Sequence, residues 1–373
     1  MNSTGSQLWV SAGEMSGDMH AANLVRAIQK KAPHVRFAGV GGPDLRKTGF
    51  EDVFKVEDLS VMGITEVLSH LPRILGMLKR IRQELVTRRP DAVILVDAPS
   101  FNFRIAKYAK ELGIPVYYYI SPKIWAWRTG RVKFIRRYVD KVISILPFEV
   151  DFYRQHGMEI DYVGNPLVDM VDWDEVDAIT PGQKRIGLLP GSRRKEITSL
   201  MPQFAIAAKR MQAARPELEF HCVRAPGVSE ENLRELWATD VPLTIHAPDN
   251  RYKFMRECNM LLAASGTVTL ESALLGTPTL VAYKVSPLSF AIGKRLVKVK
   301  FASLPNLIMQ REVFPELLQQ NADGDVLAAR ALDWLDNPDK LHSVRADLAV
   351  IRSMLGAPGA PSRAADIILQ SLV

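Results

Sequence analysis

Short apolar runs and segments with helical spacing alternate along most of the chain. The apolar runs predict strands at residues 8–12, 36–40, 53–56, 92–96, 116–120 and 142–146, and again at 185–189, 218–223, 243–246, 260–264 and 279–283. Apolar residues three and four apart predict helices between most of these strands, and helices finish the chain from residue 325 onward. Because strand and helix alternate twice over, the sequence predicts an α/β protein with two doubly wound, Rossmann-like domains facing across a cleft.

An acidic segment without clear periodicity, residues 169–184, separates the two halves. It contains Pro181 and Gly182, which is typical of a linker between domains. We therefore predict four regions, namely an N-terminal domain at 1–168, the linker at 169–184, a C-terminal domain at 185–345 and C-terminal helices at 346–373.

The most informative stretch lies at residues 260–278. Its apolar run stops at Ser265-Gly266-Thr267, where a helical pattern begins. Such a turn points free backbone N–H groups and a positive helix end toward the top of a sheet, where a pyrophosphate can bind. Glu271, one turn inside the helix, suits the hydroxyls of a ribose, or it only complements the helix dipole.

A second glycine turn, residues 190–196, follows the predicted strand at 185–189. It contains Ser192 and Arg193, and a guanidinium at this position can bind phosphate oxygens as charge develops on a leaving group.

Two turns of the first half occupy equivalent positions. Residues 13–18, which include Ser16, Gly17 and Asp18, either let a ligand approach the backbone or form a simple turn capped by Asp18. Asp97 ends a strand of the fully buried type, where open α/β sheets bind ligands. Asp97 is therefore a candidate general base, although it can also cap the helix that begins near Phe101.

Two further segments combine apolar and basic residues. Trp125, Trp127 and Arg128 can wall a site for a large amphiphile, or they can stack on single-stranded nucleic acid. Residues 61–89 show an amphipathic basic pattern in which Pro72 is expected to start a second helix. Together with the basic run at 294–300, this segment either lies on an anionic bilayer or packs as an ordinary helix on the sheet.

Composition narrows the class of protein. The chain has 373 residues, of which 47% are hydrophobic and 24% charged, as in soluble proteins of two domains. The net charge of +7 indicates an anionic partner. Cys222 and Cys258 lack metal-ligand spacing, and the acidic pairs at 172–174 and 323–325 lie outside the predicted strand ends, so no metal is expected. Without a signal-peptide pattern or a spanning apolar window, we expect a cytosolic or peripherally attached protein.

Several motifs together resemble the lipid-A-disaccharide synthases. They are Gly13-Glu14-Met15-Ser16-Gly17-Asp18, Asp97-Ala98-Pro99-Ser100-Phe101-Asn102, Ser121-Pro122 with Trp125-Ala126-Trp127-Arg128, Leu189-Pro190-Gly191-Ser192-Arg193, Ala264-Ser265-Gly266-Thr267 with Glu271, Ser303-Leu304-Pro305-Asn306-Leu307, and Arg311-Glu312. One departure is Asn165, where many members of the family have His, so a role for that histidine is in doubt here.

The resemblance implies a two-domain glycosyltransferase of the GT-B type without a cofactor. It implies UDP-2,3-diacylglucosamine as donor, bound by the second domain through Ser192, Arg193, the turn at 265–267, Glu271, Asn306, Arg311 and Glu312. It implies 2,3-diacylglucosamine 1-phosphate as acceptor, bound by the first domain beside Asp97, with Ser16, Gly17, Asp18, Trp125, Trp127 and Arg128 lining the cleft. The expected product is the β-1',6-linked disaccharide 1-phosphate plus UDP.

The family also implies a setting, which is the cytoplasmic face of the inner membrane, with an anionic membrane surface as partner and no nucleic acid. Homodimers that exchange C-terminal segments occur in the family, so residues 346–373 either cross back to the first domain or exchange between subunits. Two other interpretations stay open at this point. The chain is another GT-B enzyme, such as a peptidoglycan-precursor transferase or a UDP-sugar epimerase, or it is a basic protein that only binds membranes or nucleic acid.

Overall fold

The computed structural model describes residues 6–57, 67–286 and 299–372, together with residues 290, 293, 295 and 297. Its chain divides into two compact units. Unit 1 comprises Met1–Asp169 and Ala357–Val373, and unit 2 comprises Met170–Gly356. The predicted linker therefore contributes to unit 2, where Asp172 caps a short helix by accepting a hydrogen bond from the Glu175 N–H at 3.1 Å.

Unit 1 is built on a parallel sheet with helices on both faces. Its described strands are β1 (Gln7–Ala12), β2 (Arg36–Gly41), β3 (Glu51–Lys55), β4 (Ala92–Val96), β5 (Val116–Tyr119), β6 (Lys141–Ser144) and β7 (Asp161–Tyr162). Its described α-helices are α1 (Met15–Lys31), α2 (Pro43–Arg46), α3 (Val67–Arg88), α4 (Pro99–Glu111), α5 (Ile124–Trp127), α6 (Val132–Tyr138), α7 (Phe148–Gln155) and, from the end of the chain, α16 (Ala360–Gln370).

Unit 2 repeats this plan with a second parallel sheet. Its described strands are β8 (Arg185–Leu189), β9 (Glu219–Val223), β10 (Leu243–His246), β11 (Met260–Ala264), β12 (Thr279–Tyr283) and β13 (Glu316–Leu318). Its described α-helices are α8 (Trp173–Asp177), α9 (Arg194–Ala214), α10 (Glu230–Leu236), α11 (Arg251–Glu257), α12 (Thr267–Leu274), α13 (Leu304–Met309), α14 (Gly324–Asp336) and α15 (Pro338–Met354). The predicted pair of doubly wound parallel sheets is therefore confirmed.

The strand order creates a crevice in each sheet. The order is β3-β2-β1-β4-β5-β6-β7 in unit 1 and β10-β9-β8-β11-β12-β13 in unit 2. The direction of winding reverses between β1 and β4 in one sheet and between β8 and β11 in the other. Open α/β sheets bind ligands at the carboxyl ends of the strands at such a reversal. The turns at 13–18, 97–102, 190–193 and 265–267 all lie there.

Burial on both faces of the sheet explains why the central strands consist almost entirely of apolar residues. Every residue of β4 is fully buried, because its two faces pack into different clusters. Ile94 lies in the cluster that includes α1, and Leu95 lies in the cluster that includes α3. Ala364 and Ile368 of α16 join the first of these clusters, so the late helix completes the core of unit 1.

Some local predictions differ from the structure. The predicted helix break at Pro72 is wrong, because α3 runs through this residue. A proline inside a helix removes one backbone hydrogen bond, and α3 continues past that loss. The sequence analysis also missed β7 and β13, which are two and three residues long and therefore too short to show a period.

No helix among the described residues is both long enough and apolar enough to cross a membrane.

Candidate functional site

A cavity of about 310 Å³ opens at the carboxyl end of the unit 2 sheet. This volume is within the range of small-ligand sites. Its walls come from the turns after β8, β9 and β11 and from the start of α11 and α12. Six predicted nucleotide-binding residues line it, namely Ser192, Arg193, Ser265, Gly266, Thr267 and Glu271.

The turn after β8 forms one wall of the cavity. Gly191 has a φ of +105°, and a Cβ atom there would lie 2.5 Å from Glu196 Oε2, so only glycine fits. Glu196 in turn accepts a hydrogen bond from the Arg193 backbone N–H at 3.3 Å, which caps α9. The Arg193 side chain is 83% exposed, with a 3.2 Å contact to Glu196, and can swing toward an anion in the cavity.

The turn after β11 forms the opposite wall. Thr267 begins α12, and the first N–H groups of a helix have no partner within that helix. Gly266 has open space where a side chain would stand, so a ligand can approach its backbone. This wall therefore offers hydrogen-bond donors and the positive end of a helix dipole to an anionic group.

Glu271 lies in the same cavity and is nearly buried. Its Oε1 accepts a hydrogen bond from Arg251 Nη2 at 2.9 Å. Burial raises the pKa of the Glu271 carboxyl, and the Arg251 charge acts in the opposite direction. The structure thus adds Arg251 to the site, because this residue is a cavity wall as well as the ion-pair partner of Glu271.

The sequence analysis missed Arg251, although a signal was present. Arg251 begins α11 shortly after β10, so it lies at the carboxyl edge of the sheet like the predicted residues. The turn after β9, with Arg224 and Ala225, also lies at this edge and was also missed.

Three other predicted nucleotide-binding residues are not among those that line the cavity. Asn306 is buried and uses its whole amide internally, donating to the Phe314 carbonyl and to Glu316 and accepting from the Val313 and Phe314 N–H groups. Arg311 pairs with Asp347 on α15, and Glu312 is exposed. Their role in nucleotide binding stays a prediction.

In unit 1, Asp97 stands directly after β4 in a strained backbone conformation. Asp97 and Ala98 have φ values of +50° and +45°, the left-handed region that residues other than glycine avoid. Such strain costs about 1–3 kcal/mol per residue and is concentrated at functional sites. The Asp97 carboxylate is half-buried and has no hydrogen-bond partner in the described part of the chain, so it is available to a ligand.

Asn102 holds this strained turn in place. Its side-chain amide donates to the carbonyls of Asp97 at 2.8 Å, Val96 at 3.1 Å and Ser11 at 3.3 Å, and its oxygen accepts from Ser11 Oγ at 2.7 Å. The Tyr118 hydroxyl donates to the Asp97 carbonyl at 2.6 Å. The predicted alternative, that Asp97 caps α4, is wrong, because Ala98 is the N-cap residue and no side chain caps the helix.

The turn after β1 packs against the strained turn. A Cβ atom on Gly13 would lie 2.3 Å from the Ala98 Cβ, so glycine is required. Gly17 lies over Val96 in the first turns of α1. Ser16 belongs to the same turn, and its side chain is outside the described part of the structure.

Asp18 does not have the predicted capping role. Its buried carboxylate accepts hydrogen bonds from the Gly42 N–H at 2.7 Å and the Asp44 N–H at 2.8 Å. Asp18 therefore fixes the turn after β2 and does not cap α1, whose N-cap residue is Glu14. Its place in a cleft stays a prediction.

The segment after β5 carries the predicted aromatic and basic residues. Trp125 is buried, and its Nε1–H donates to Glu149 at 2.8 Å, so it supports this segment rather than lining a surface. Trp127 is 42% exposed, and the Arg128 guanidinium lies 4.0 Å from its ring centroid. Asn165, the departure from the family pattern, is buried and bonded to the Ile145 carbonyl and the Leu167 N–H, each at 3.0 Å.

Two guanidiniums of unit 1 have no carboxylate partner among the described residues. They belong to Arg128 and to Arg131, which lies 5.3 Å from the Phe103 ring centroid. Burial and the charge of Arg128 together lower the pKa of Arg131. An anion bound between the two guanidiniums would offset the repulsion between their positive charges.

Within the described residues, no group of three or more His, Cys, Asp or Glu side chains is arranged to hold a metal ion. Parts of the two basic segments, at residues 61–66, 294, 296 and 298, lie outside the described residues.

Comparisons with known sequences agree with this architecture. The family model described as lipid-A-disaccharide synthetase matches residues 8–358. The chain is 40% identical over 379 residues to the lipid-A-disaccharide synthase of Geobacter sulfurreducens, covering 99% of this chain and 98% of that one. It is 42% identical over 371 residues to the enzyme of the same name from Nitrosococcus oceani, covering 97% and 95%.

Solved structures with this fold share little sequence with the chain. A putative UDP-N-acetylglucosamine 2-epimerase from Listeria monocytogenes is 15% identical with a TM-score of 0.65, covering 99% of this chain and 96% of that one. Acinetobacter baumannii MurG is 17% identical with a TM-score of 0.62, covering 98% and 99%. These neighbours are GT-B glycosyltransferases and epimerases, and at such identities they show the fold alone.

We expect Arg251→Gln to weaken binding of UDP, and to weaken it more at pH 6 than at pH 8. Without the Arg251 charge, burial raises the pKa of Glu271 further, so its carboxyl loses the charge that would bind ribose hydroxyls as the pH falls. Loss of one hydrogen bond to a charged group weakens affinity about tenfold. The measurement is the UDP-dependent rise in melting temperature, which reports binding to the folded state.

The matched control is Lys253→Gln on the same helix, where Lys253 pairs instead with Glu175 at 2.9 Å. Equal UDP-dependent shifts for wild type and Arg251→Gln at both pH values would contradict the assignment of Arg251 to this site.

Proposed function

Because the chain belongs to the lipid-A-disaccharide synthetase family, we propose that it transfers diacylglucosamine from UDP-2,3-diacylglucosamine to 2,3-diacylglucosamine 1-phosphate. The protein is a glycosyltransferase of lipid A biosynthesis with the GT-B fold. The proposed products are the β-1',6-linked disaccharide 1-phosphate and UDP. The observation that carries this proposal is the unit 2 cavity, where Arg193, a helix N-terminus and Glu271 converge.

The cavity residues suit the uridine diphosphate of the donor. In the proposal, Arg193 and the backbone N–H groups of Gly266 and Thr267 bind the diphosphate and stabilise the charge that builds up as UDP leaves. The Ser265 N–H donates instead to the Ala282 carbonyl at 3.1 Å, so Ser265 can meet the diphosphate only through its side chain. Glu271, paired with Arg251, accepts hydrogen bonds from the ribose hydroxyls.

Asp97 suits the role of general base. The proposed reaction is a single displacement with inversion, in which Asp97 takes the proton from the acceptor 6-hydroxyl as that oxygen attacks the anomeric carbon. The free carboxylate at the reversal of strand order supports this role. Arg128 and Arg131 supply the charge for the acceptor phosphate, and exposed Trp127 supplies an apolar surface beside it.

The membrane is the proposed source of both lipid substrates, at its cytoplasmic face. In α3, Leu75 is 49% exposed beside the exposed basic residues Lys79 and Arg80, a pattern that suits an anionic bilayer surface. The homodimer that the resemblance implies stays a prediction, which sedimentation of the purified protein would test.

The purified protein should convert the two diacyl sugars to disaccharide, and linkage analysis of the product should give the β-1',6 bond. We expect no transfer from UDP-N-acetylglucosamine, which lacks the acyl chains of the proposed donor. Epimerisation of UDP-N-acetylglucosamine, or transfer only to another lipid acceptor, would contradict the proposed substrates while keeping the GT-B enzyme class.

Asp97→Asn should reduce kcat by about 10²- to 10⁴-fold, the usual contribution of a general base. The UDP-dependent rise in melting temperature should stay at the wild-type value, because Asp97 belongs to unit 1 and the cavity belongs to unit 2. Asp91→Asn is the control, since Asp91 lies before the amino end of the same strand, where its carboxylate accepts the Gln7 N–H. A wild-type kcat in Asp97→Asn would remove this residue from the chemistry.

Sedimentation with liposomes tests the membrane proposal. We expect more protein in the pellet with anionic than with neutral vesicles, and a smaller pellet for Leu75→Ser than for Val86→Ser, a matched exposed site on the same helix. Equal recovery in the supernatant with both lipids would count against an interfacial role.

A further inference from the structure

Glu149 is a buried carboxyl of unit 1 that takes no part in the proposed reaction. Glu149 lies at the start of α7 and is 1% exposed. Its carboxylate accepts the Trp125 Nε1–H at 2.8 Å and a hydrogen bond from Ser144 Oγ. It forms no salt bridge with a described residue, and a buried charge without such a partner is costly unless hydrogen bonds satisfy it.

Helix α7 fastens the segment after β5 at three points. Besides the bond from Glu149 to Trp125, the Tyr153 hydroxyl lies 2.9 Å from Ser121 Oγ. The Phe148 and Trp125 rings meet edge to face, with centroids 4.9 Å apart. The same segment carries Trp127 and Arg128, the exposed pair proposed above to meet the acceptor.

The charges around Glu149 connect it to Asp97. Burial raises the pKa of Glu149 to about 7, the hydrogen bonds from Ser144 and Trp125 and the charge of Lys123 oppose this, and the charge of Asp97 adds to it. Tyr153, on the same helix, is a further titratable group that senses the charge of this carboxyl. The charge of the proposed base therefore acts on the buried carboxyl.

We propose that Glu149 is a positioning residue for the acceptor, because it anchors Trp125 and thereby fixes the segment that carries Trp127 and Arg128. This inference rests on the proposed function. An ionised carboxylate is a stronger acceptor for the indole N–H than a protonated one. The anchor is therefore tighter above pH 7 than below it.

The kinetic test compares Glu149→Gln and Glu149→Ala with wild type. Glu149→Ala should raise KM for the acceptor about tenfold, as expected for loss of one hydrogen bond to a charged group, with a smaller change in kcat and none in UDP binding. In wild type, acceptor KM should rise as the pH falls below 7. Glu149→Gln keeps the bonds to Trp125 and Ser144 without the titration, so it should lack that rise. The acceptor phosphate also titrates at about pH 6. The test is therefore the difference in acceptor KM between wild type and Glu149→Gln at each pH.

A second readout needs neither substrate nor activity. The emission of Trp125, obtained as wild type minus Trp125→Phe, should change near pH 7 in wild type and stay constant in Glu149→Gln. The melting temperature gives a further test, because the stability of the protein depends on the protonation of Glu149. Because folding raises the pKa of Glu149 from 4.5 to about 7, its stabilising effect is complete below pH 4.5 and is lost as the pH rises toward 7. Glu149→Gln should therefore gain stability relative to wild type between pH 5 and pH 8.

Glu159→Gln is the control, since Glu159 follows the same helix and its side chain is 79% exposed. If Glu149→Ala does not fold, Trp125→Phe removes the same hydrogen bond from the other side and should show the same rise in acceptor KM. An acceptor KM with the wild-type pH dependence in Glu149→Gln, or an unchanged Trp125 emission profile, would overturn the positioning role. If wild type transfers no diacylglucosamine but shows the expected emission change, the proposed function is refuted and the anchoring of Trp125 by Glu149 is supported.

Discussion

The hydrogen bonds of the Asn102 amide are the interaction on which the strained turn of unit 1 depends. It ties the ends of β1 and β4 together at the reversal of strand order and holds two consecutive residues in the left-handed region. Without it, Asp97 would relax toward an ordinary strand-to-helix turn, and its carboxylate would take up a different direction. Gly13 belongs to the same constraint, because the space that a side chain would need is filled by Ala98.

The two units use the same crevice for opposite electrostatic purposes. In unit 2 the turns after β8 and β11 present N–H groups and guanidinium, and a buried carboxylate is held by Arg251 at their side. In unit 1 the equivalent turns present a carboxylate without a hydrogen-bond partner among the described residues. One topology thus provides the proposed place for a departing anion and the proposed place for a base, and the difference lies in a few residues at the strand ends.

The sequence predicts well those features that produce a periodic pattern or that follow the end of a predicted strand. Alternating apolar runs and helical spacing locate the central strands, and with them the position of Asp97, Arg193 and the turn at 265–267 at the strand ends. Two-residue strands carry no period, so β7 was missed. The hydrogen bonds of Asp18 and Asn306 to backbone groups could not be predicted, since such bonds depend on distant segments that only the folded chain brings together. Arg251 also lies close after the end of a strand, so the same reasoning could have identified it.

The return of α16 to unit 1 has a consequence for how the chain folds. Ala364 and Ile368 fill the core beside α1, and Lys31 pairs with Asp366, 335 positions later. During synthesis, the first-made unit therefore emerges with an incomplete interior and must wait while all of unit 2 is translated. Unit 2 is continuous and can fold in that interval. Closing such a long loop is slow, so exposed apolar surface on the nascent N-terminal half is a point at which chaperones can act.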